Sequence, residues 1–436
     1  MKHIWFVKIA CCLWLGAMGG AAHAQRMLPG DTLRLSLDSC LRYAFGHNAS
    51  VRTAQLQREL AVRSLEAAKL RFLPSLSVQA GEDLMLSDGT VSASVSYGLS
   101  GTWILYGGWG NVNHYRKQLV NQRQREYAEE KIRNEVEAQL LAAYLGILSE
   151  RDRIRCLEEQ LRSARRQAEE AAEKARLGGM LESDRLLLEA GSRKLQCEVE
   201  NARLNLETAA VKLRLLLGLP DRTPLSVTPV DSAMAEGLPS LEEAVRLALE
   251  RLPDAKIAGL EKEGALYDLR CAKGNYAPSL SLGVYAAYWG GGQVRTDAAG
   301  ILVTSGGLHT TLSLGLNVPV FSKGANRLQV AQSRIALQQA EWQEEQTRLE
   351  VAQAVEERYL ALVQARNTFH ADALMLQAAA ASLKVFQAKF EAGSLSAADL
   401  VQQQERYLSA VNDYVRSKYA YILSQKLLQV YLGNAF

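Results

Sequence analysis

Two short segments place a glycine and an acid at a common spacing. KARLGGMLESD sets Asp184 six residues after Gly178, and KFEAGSLSAAD sets Asp399 six residues after Gly393. Glycine relieves the left-handed strain where one helix stops, and Ser183 or Ser396 is placed to cap the helix that follows. A carboxylate beside each turn would attract cations. Other reactive residue types are scattered. Cys40, Cys156, Cys197 and Cys271 form no CxxC pair and read as isolated buried thiols. His47, His114, His309 and His370 show no HxH or HExxH spacing, so none reads as a metal ligand. YGGWGN offers Gly108 and Gly110 without the third glycine of a dinucleotide loop. No residue reads as catalytic, and no cofactor is called for.

The elements that carry these turns lie behind an N-terminal leader. Residues 1–24 hold Lys2 and Lys8, an apolar stretch from Ile9 to Met18 and then Ala22-His23-Ala24, the small-residue pattern of a signal peptide cut between Ala24 and Gln25. Lys8 lies too close to Cys11 for a lipidation cysteine preceded by an apolar run. The full chain of 436 residues is 48% hydrophobic and 22% charged with 9 prolines, which excludes a disordered chain. Its net charge is +3, and two of those positives leave with the leader, so nothing suggests nucleic-acid binding. Beyond the leader no apolar run is long enough for a spanning helix.

An internal tandem duplication organises the rest. SLDSCLRYAF (Ser36 to Phe45) faces SLEEAVRLAL (Ser240 to Leu249) at an offset of 204 residues, held through Pro74-Ser75-Leu76-Ser77 and Pro278-Ser279-Leu280-Ser281. Further on the offset is 215, pairing Tyr144-Leu145 with Tyr359-Leu360 and Asp184 with Asp399. The change falls at WGGGQVRTDAAGILVTSGG, which predicts a longer exposed hairpin loop at about 289–307. Residues 25–218 form repeat 1, 219–239 an equatorial linker and 240–436 repeat 2, each in the order short helix, helix, two strands, very long helix, tip turn, helix.

The strands alternate with period two. Val91, Ala93, Val95, Tyr97, Leu99 and Trp103 share one face in the first unit, and Leu312, Leu314, Leu316, Val318 and Val320 share one in the second, with Ser, Thr and Gly opposite. Aromatics gather near the strand ends (Trp103, Tyr106, Trp109, Tyr288, Trp289, Phe321) like the girdles of a lipid-facing barrel. Val95, Tyr97, Leu99, Trp103, Leu312, Leu314, Leu316 and Val318 are therefore expected to face lipid. Four strands cannot close a barrel, and open edges in lipid leave backbone groups unpaired, so the chain must oligomerise. Two copies would supply eight strands and three copies twelve.

Asn111 to Arg176 holds no proline and would reach on the order of 100 Å as one helix. Ile154, Leu157, Leu161, Ala164, Ala168, Ala171 and Ala175 step by three and four, as do Leu188, Ser192, Leu195, Val199, Ala202, Leu206, Ala209 and Leu213 on the return helix. Such heptads demand a partner in coiled-coil contact. The predicted helices Ser50 to Phe72 and Glu182 to Leu217, stacked end to end, nearly match the long one.

On these residues the sequence resembles the TolC-like outer-membrane efflux protein family: the duplicated Pro-Ser-Leu-Ser helix exits, the strand exits Leu105-Tyr106-Gly107-Gly108 and Pro319-Val320-Phe321, and the two tip turns. The likeness covers essentially the whole mature chain. It implies a mainly α fold with membrane β, in which a long antiparallel coiled-coil tunnel joins a twelve-strand β-barrel shared between three chains, four strands each. It implies an outer-membrane homotrimer reaching into the periplasm, docked to a periplasmic adaptor and a proton-driven or ABC-type inner-membrane pump, and passively exporting cargo. It further implies that Gly178, Gly179, Gly393 and Ser394 contact the adaptor and that Asp184 and Asp399 constrict the periplasmic mouth. Where family members tether a closed mouth, a tyrosine and an arginine flank the second glycine; here those positions hold Phe390 and Leu395, and a further acidic ring falls on Gln402. An apolar or otherwise altered closure is expected. A periplasmic coiled-coil adaptor is the alternative reading, although an adaptor lacks two alternating hairpins.

Overall fold

The computed structural model describes residues 33–87, 90–219, 225–229, 240–295 and 303–432; the leader with Ala24 and Gln25, and most of the 219–239 linker, lie outside the described residues. Repeat 1 comprises β1 (Leu33–Leu35), α1 (Leu37–His47), α2 (Ala49–Leu70), β2 (Ser75–Ser87), β3 (Thr90–Gly107), α3 (Gly110–Arg176) and α4 (Glu182–Leu217). After β4 (Leu225–Val227), repeat 2 gives α5 (Leu241–Arg251), α6 (Pro253–Gly274), β5 (Ser279–Arg295), β6 (Val303–Asn317), α7 (Ala325–Glu391) and α8 (Ala397–Tyr431).

Local chemistry sets the boundaries. Asn48 Oδ1 accepts from the amides of Ser50 (2.9 Å) and Val51 (3.3 Å) to start α2, while its Nδ2 donates to the Leu216 carbonyl at 2.8 Å and fastens the start of α2 to the end of α4. In repeat 2 Pro253 opens α6 at a position where a helix needs no amide. The duplication extends to side-chain contacts. Glu129 on α3 meets Arg58 (3.2 Å) and Arg133 (2.6 Å), and the same triad recurs as Glu344 with Lys262 and Arg348. Asn111 Nδ2 donates to the Arg71 carbonyl at 3.5 Å, and Asn326 Nδ2 to the Asn275 carbonyl at 3.0 Å.

These contacts build a wall four elements wide. The sheet runs β2-β3-β5-β6, antiparallel throughout. Next to it the helices run α2-α3-α6-α7, and beyond mid-height α4 and α8 replace α2 and α6 beside α3 and α7. Helices α3 and α7 each count 67 residues, about 100 Å. Leu157, Leu161, Ala164, Leu195, Val199 and Ala202 form a buried seam between α3 and α4, on the heptad positions that the sequence marks. Across α3 and α6, Lys117 meets Asp268 (2.6 Å), Gln124 meets Glu261 (2.9 Å) and Lys131 meets Asp254 (2.6 Å). At the exit from the sheet Gly108 and Gly274 touch backbone to backbone: a Cβ on Gly108 would lie 2.1 Å from the Gly274 carbonyl oxygen.

Four features depart from the sequence reading. The segment expected as a long loop at 289–307 is mostly strand, since β5 continues to Arg295 and β6 resumes at Val303. A mid-height belt appears where β1 and β4 pair in parallel, and the wholly buried Tyr144 hydroxyl bridges them, 2.7 Å from the Thr228 carbonyl and 3.1 Å from that of Leu35. Of the four described cysteines only Cys40 is buried; Cys197 is exposed, and Cys156 and Cys271 are half-buried. Burial pushes the Cys40 thiol up to about 11. Trp289 points to the opposite face from Tyr288, because neighbours in a strand alternate. Among the described residues no helix is long and apolar enough to cross a membrane.

Candidate functional site: the tip turns and the two sheet faces

The tip turns close in the same way twice. The amides of Gly178 and Gly179 bond back to the carbonyls of Ala175 (3.0 Å) and Lys174 (2.8 Å); those of Gly393 and Ser394 bond back to Phe390 and Lys389, both at 3.0 Å. Gly178 and Gly393 have φ of +75° and +72°, which a side chain at either position would strain. The turns differ in the cap that follows. Ser396 caps α8: its Oγ accepts from the Asp399 amide at 3.2 Å and donates to Asp399 Oδ2 at 2.6 Å. Ser183 caps nothing, contrary to its sequence reading, because α4 starts at Glu182 behind Leu181, which has no capping oxygen. Its first turn is held instead by Arg185, which donates to Glu182 and Glu189 and whose guanidinium pKa is raised by those bonds.

Asp399 is thus exposed yet already engaged by its own cap, while Asp184 is half-buried. Phe390 and Leu395 pack with Met180, Phe386 and Tyr407 on one apolar cluster built from Ala171, Leu188, Leu383, Ala397 and Leu400. Both repeats contribute to it, so the two turns form one tip. Gln402 is exposed. Among the described residues no group of three or more His, Cys, Asp or Glu is placed to hold a metal ion.

At the other end the register sorts the sheet into two chemistries. Rows such as Val78-Leu99-Ala286-Thr310 and Ala80-Tyr97-Tyr288-Leu308 run across all four strands, and Trp103 stands beside Leu282 and Leu314. Tyr97, Leu99, Trp103, Leu312, Leu314, Leu316 and Val318 are exposed and Val95 is half-exposed, all on this apolar side. Glu82 on the edge strand is its one charge among the described side chains. The reverse side carries Ser77, Ser100, Ser281, Ser313 and Gly98. An exposed apolar face backed by a partly exposed polar one suits a wall between lipid and water.

A sequence profile described as outer membrane efflux protein matches residues 41–219 and again 244–434, one match per repeat. The chain belongs to the outer membrane efflux protein family. As a member of that family it is an outer-membrane channel component of an export system, with its helices extending into the periplasm. The family and its structural neighbours are channels rather than enzymes. Among relatives, Protein CyaE of Bordetella pertussis is 25% identical over 402 residues, covering 89% of this chain and 82% of that protein. The fold is similar to that of CusC (TM-score 0.79, 16% identity, 94% of this chain and 96% of that one). It is also similar to the Campylobacter jejuni CmeC outer membrane channel (TM-score 0.78, 18% identity, 92% and 86%).

Proposed function

We propose that three copies close into one conduit, a twelve-strand barrel in the outer membrane continued by a helical tunnel, which passively conducts cargo handed over by a periplasmic adaptor and an inner-membrane pump of proton-driven or ABC type. The observation that carries this reading is the wall with two raw edges. On one side β2, α2 and α4 lack a lateral neighbour within the chain; on the other β6 and α7 do. Unpaired strand edges in lipid cost several kcal/mol per orphaned group, so edge must meet edge.

The duplication names the meeting residues. Contacts between α3 and α6 inside the chain map, by the two sequence offsets, onto contacts between α7 of one copy and α2 of the next. Val120, 4% exposed, corresponds to Ile335, 55% exposed and awaiting the same burial. Tyr127, stacked under Lys256 at 4.9 Å, corresponds to Trp342, which is 74% exposed, and Lys256 corresponds to Arg52. Each copy therefore offers a tryptophan to its neighbour's arginine. The lipid-facing role of the apolar side of the sheet, from Val95 to Trp103 and from Leu312 to Val318, follows from the same closure.

At the periplasmic mouth, Gly178, Gly179, Gly393 and Ser394 present the turns to the adaptor. Asp184 and Asp399, each present three times, make the constriction acidic, and Phe390, Leu395 and Met180 make its support apolar. Two measurements test this. Ser50→Cys with Gln346→Cys should yield covalent trimers on non-reducing gels, and the detergent-solubilised protein should weigh three chains; a monomer by both counts would refute the assembly. In planar bilayers the channel should favour cations, and Asp399→Ala should reduce that preference. Unchanged selectivity would remove the acidic ring and leave the trimer standing.

A further inference from the structure

Large aromatic side chains on the water-facing side of the sheet have no part in the assembly just described. Tyr285 and Trp289 lie four residues apart on β5, opposite Thr311 and Gly307 of β6 and Ser100 and Ser96 of β3. They share the polar face, not the apolar one, so neither belongs to a lipid girdle. The glycine at position 98 confirms the side: a Cβ there would meet the Tyr285 ring at 3.3–3.4 Å, so the ring lies over bare backbone. Tyr285 is 42% exposed and Trp289 57%, on a face that otherwise carries mostly small or polar residues. Register puts Asp83 of β2, Arg295 of β5 and His309 of β6 on this face as well.

We propose that Tyr285 and Trp289 form stacking platforms for flat aromatic solutes on the inner wall of the barrel. The inference rests on the trimeric barrel argued above, in which the site occurs three times as a collar. The Tyr285 ring, lying over Gly98 and left open to water, is a platform for stacking planar rings, and the exposed Trp289 is a second; such stacking is tolerant of ring identity. Asp83 and Arg295 both stand on this face, so ring stacking and not net charge selects the solute. Twelve strands spaced about 4.8 Å apart and tilted about 40° enclose a backbone diameter of roughly 24 Å, so side chains from three copies line the passage without plugging it. The collar therefore delays a flat aromatic solute in transit and leaves small ions unhindered.

The test is single-channel recording on the purified full-length trimer, with ethidium added on the external side and tetramethylammonium as the non-aromatic cation of equal charge. Ethidium should interrupt the current, and Trp289→Ser with Tyr285→Ser should shorten the interruptions about tenfold at unchanged open conductance. Trp289→Phe should keep most of the dwell time, since stacking needs a ring and not the indole nitrogen. Equal dwell times in the wild type and the double serine variant would overturn the collar, as would equal interruption by tetramethylammonium. A wild-type protein that carries no current would instead overturn the channel reading and the collar with it.

Discussion

Replacing Gly108 by alanine tests the junction between barrel and tunnel. Gly108 has φ of +58°, and an added Cβ would sit 2.1 Å from the Gly274 carbonyl oxygen and 2.9 Å from the Ala277 methyl. Both neighbours are fixed, one by the backbone at the end of α6 and the other by having no rotamer to change. Relief requires the strand exit and the helix end to separate by about 1 Å or more, an overpacking that costs roughly 1–3 kcal/mol, and the left-handed backbone adds about 1–2 kcal/mol once a Cβ is present. The expected loss of about 2–5 kcal/mol is severe enough to deplete assembled protein about thirtyfold or more at equilibrium. Gly274→Ala attacks the same contact from the other side, 2.4 Å from the Gly108 oxygen, so the double variant should lose less than the two singles together. Gly146→Ala is the counter-test: it lies inside α3 with nothing within 4 Å of a new Cβ, and should gain about 0.5–1 kcal/mol. The assay is the temperature at which detergent-solubilised trimers dissociate on a gel. A Gly108→Ala trimer as heat-resistant as the wild type would refute the reasoning.

Three further outcomes are expected. Ser396→Ala should cost about 1 kcal/mol and speed amide exchange in the first turn of α8, whereas Ser183→Ala should leave exchange in α4 unchanged. Tyr144→Phe removes the hydroxyl that donates to the Thr228 carbonyl and also approaches that of Leu35, which keeps the Thr228 amide at 3.3 Å, and should destabilise the protein by about 1–3 kcal/mol, seen as earlier protease cleavage near the β1–β4 belt. Glu137 is buried with one oxygen lacking a partner, and burial raises its pKa. Its charged form opposes folding, so the wild type should lose stability through this group as pH rises from about 4 toward 8. Glu137→Gln should melt later than the wild type at pH 8 and together with it at pH 4; a gap of equal size at both would count against the assignment.

The long helices were legible because their signals are long. Heptads over dozens of residues give α4 its bounds of Glu182 and Leu217 and place α3 within one residue of its observed start. The duplication carried the rest, since each weak strand in one repeat is backed by its counterpart in the other. What escaped was short or contradictory. Strands of three residues, such as β1 and β4, have no period to detect, and only their pairing across the chain creates them. The Gly290-Gly291-Gly292 run reads as loop, yet β3 supplies a partner for every residue of it, and ladder bonding outweighs the low strand propensity of glycine. Around the tip turns, a serine at either of two offsets fits a cap, and only geometry shows that Leu181 takes the place in repeat 1 that Ser396 takes in repeat 2. Trp289 reads as a girdle residue until register puts it on the water side.

The polar contacts between α3 and α6 have no copies on the opposite rim. Lys117–Asp268, Gln124–Glu261 and Lys131–Asp254 map by the repeat offsets onto Gln332 with Ser64, Gln339 with Gln57, and Gln346 with Ser50, so every carboxylate in the set is replaced by a neutral group. Brine would then weaken the covalently tethered half-to-half joint while barely touching the joint that holds separate polypeptides together. Recognition of self, in a membrane crowded with look-alikes, falls to the fit of an indole and an isoleucine into a neighbour's groove and not to matching charge.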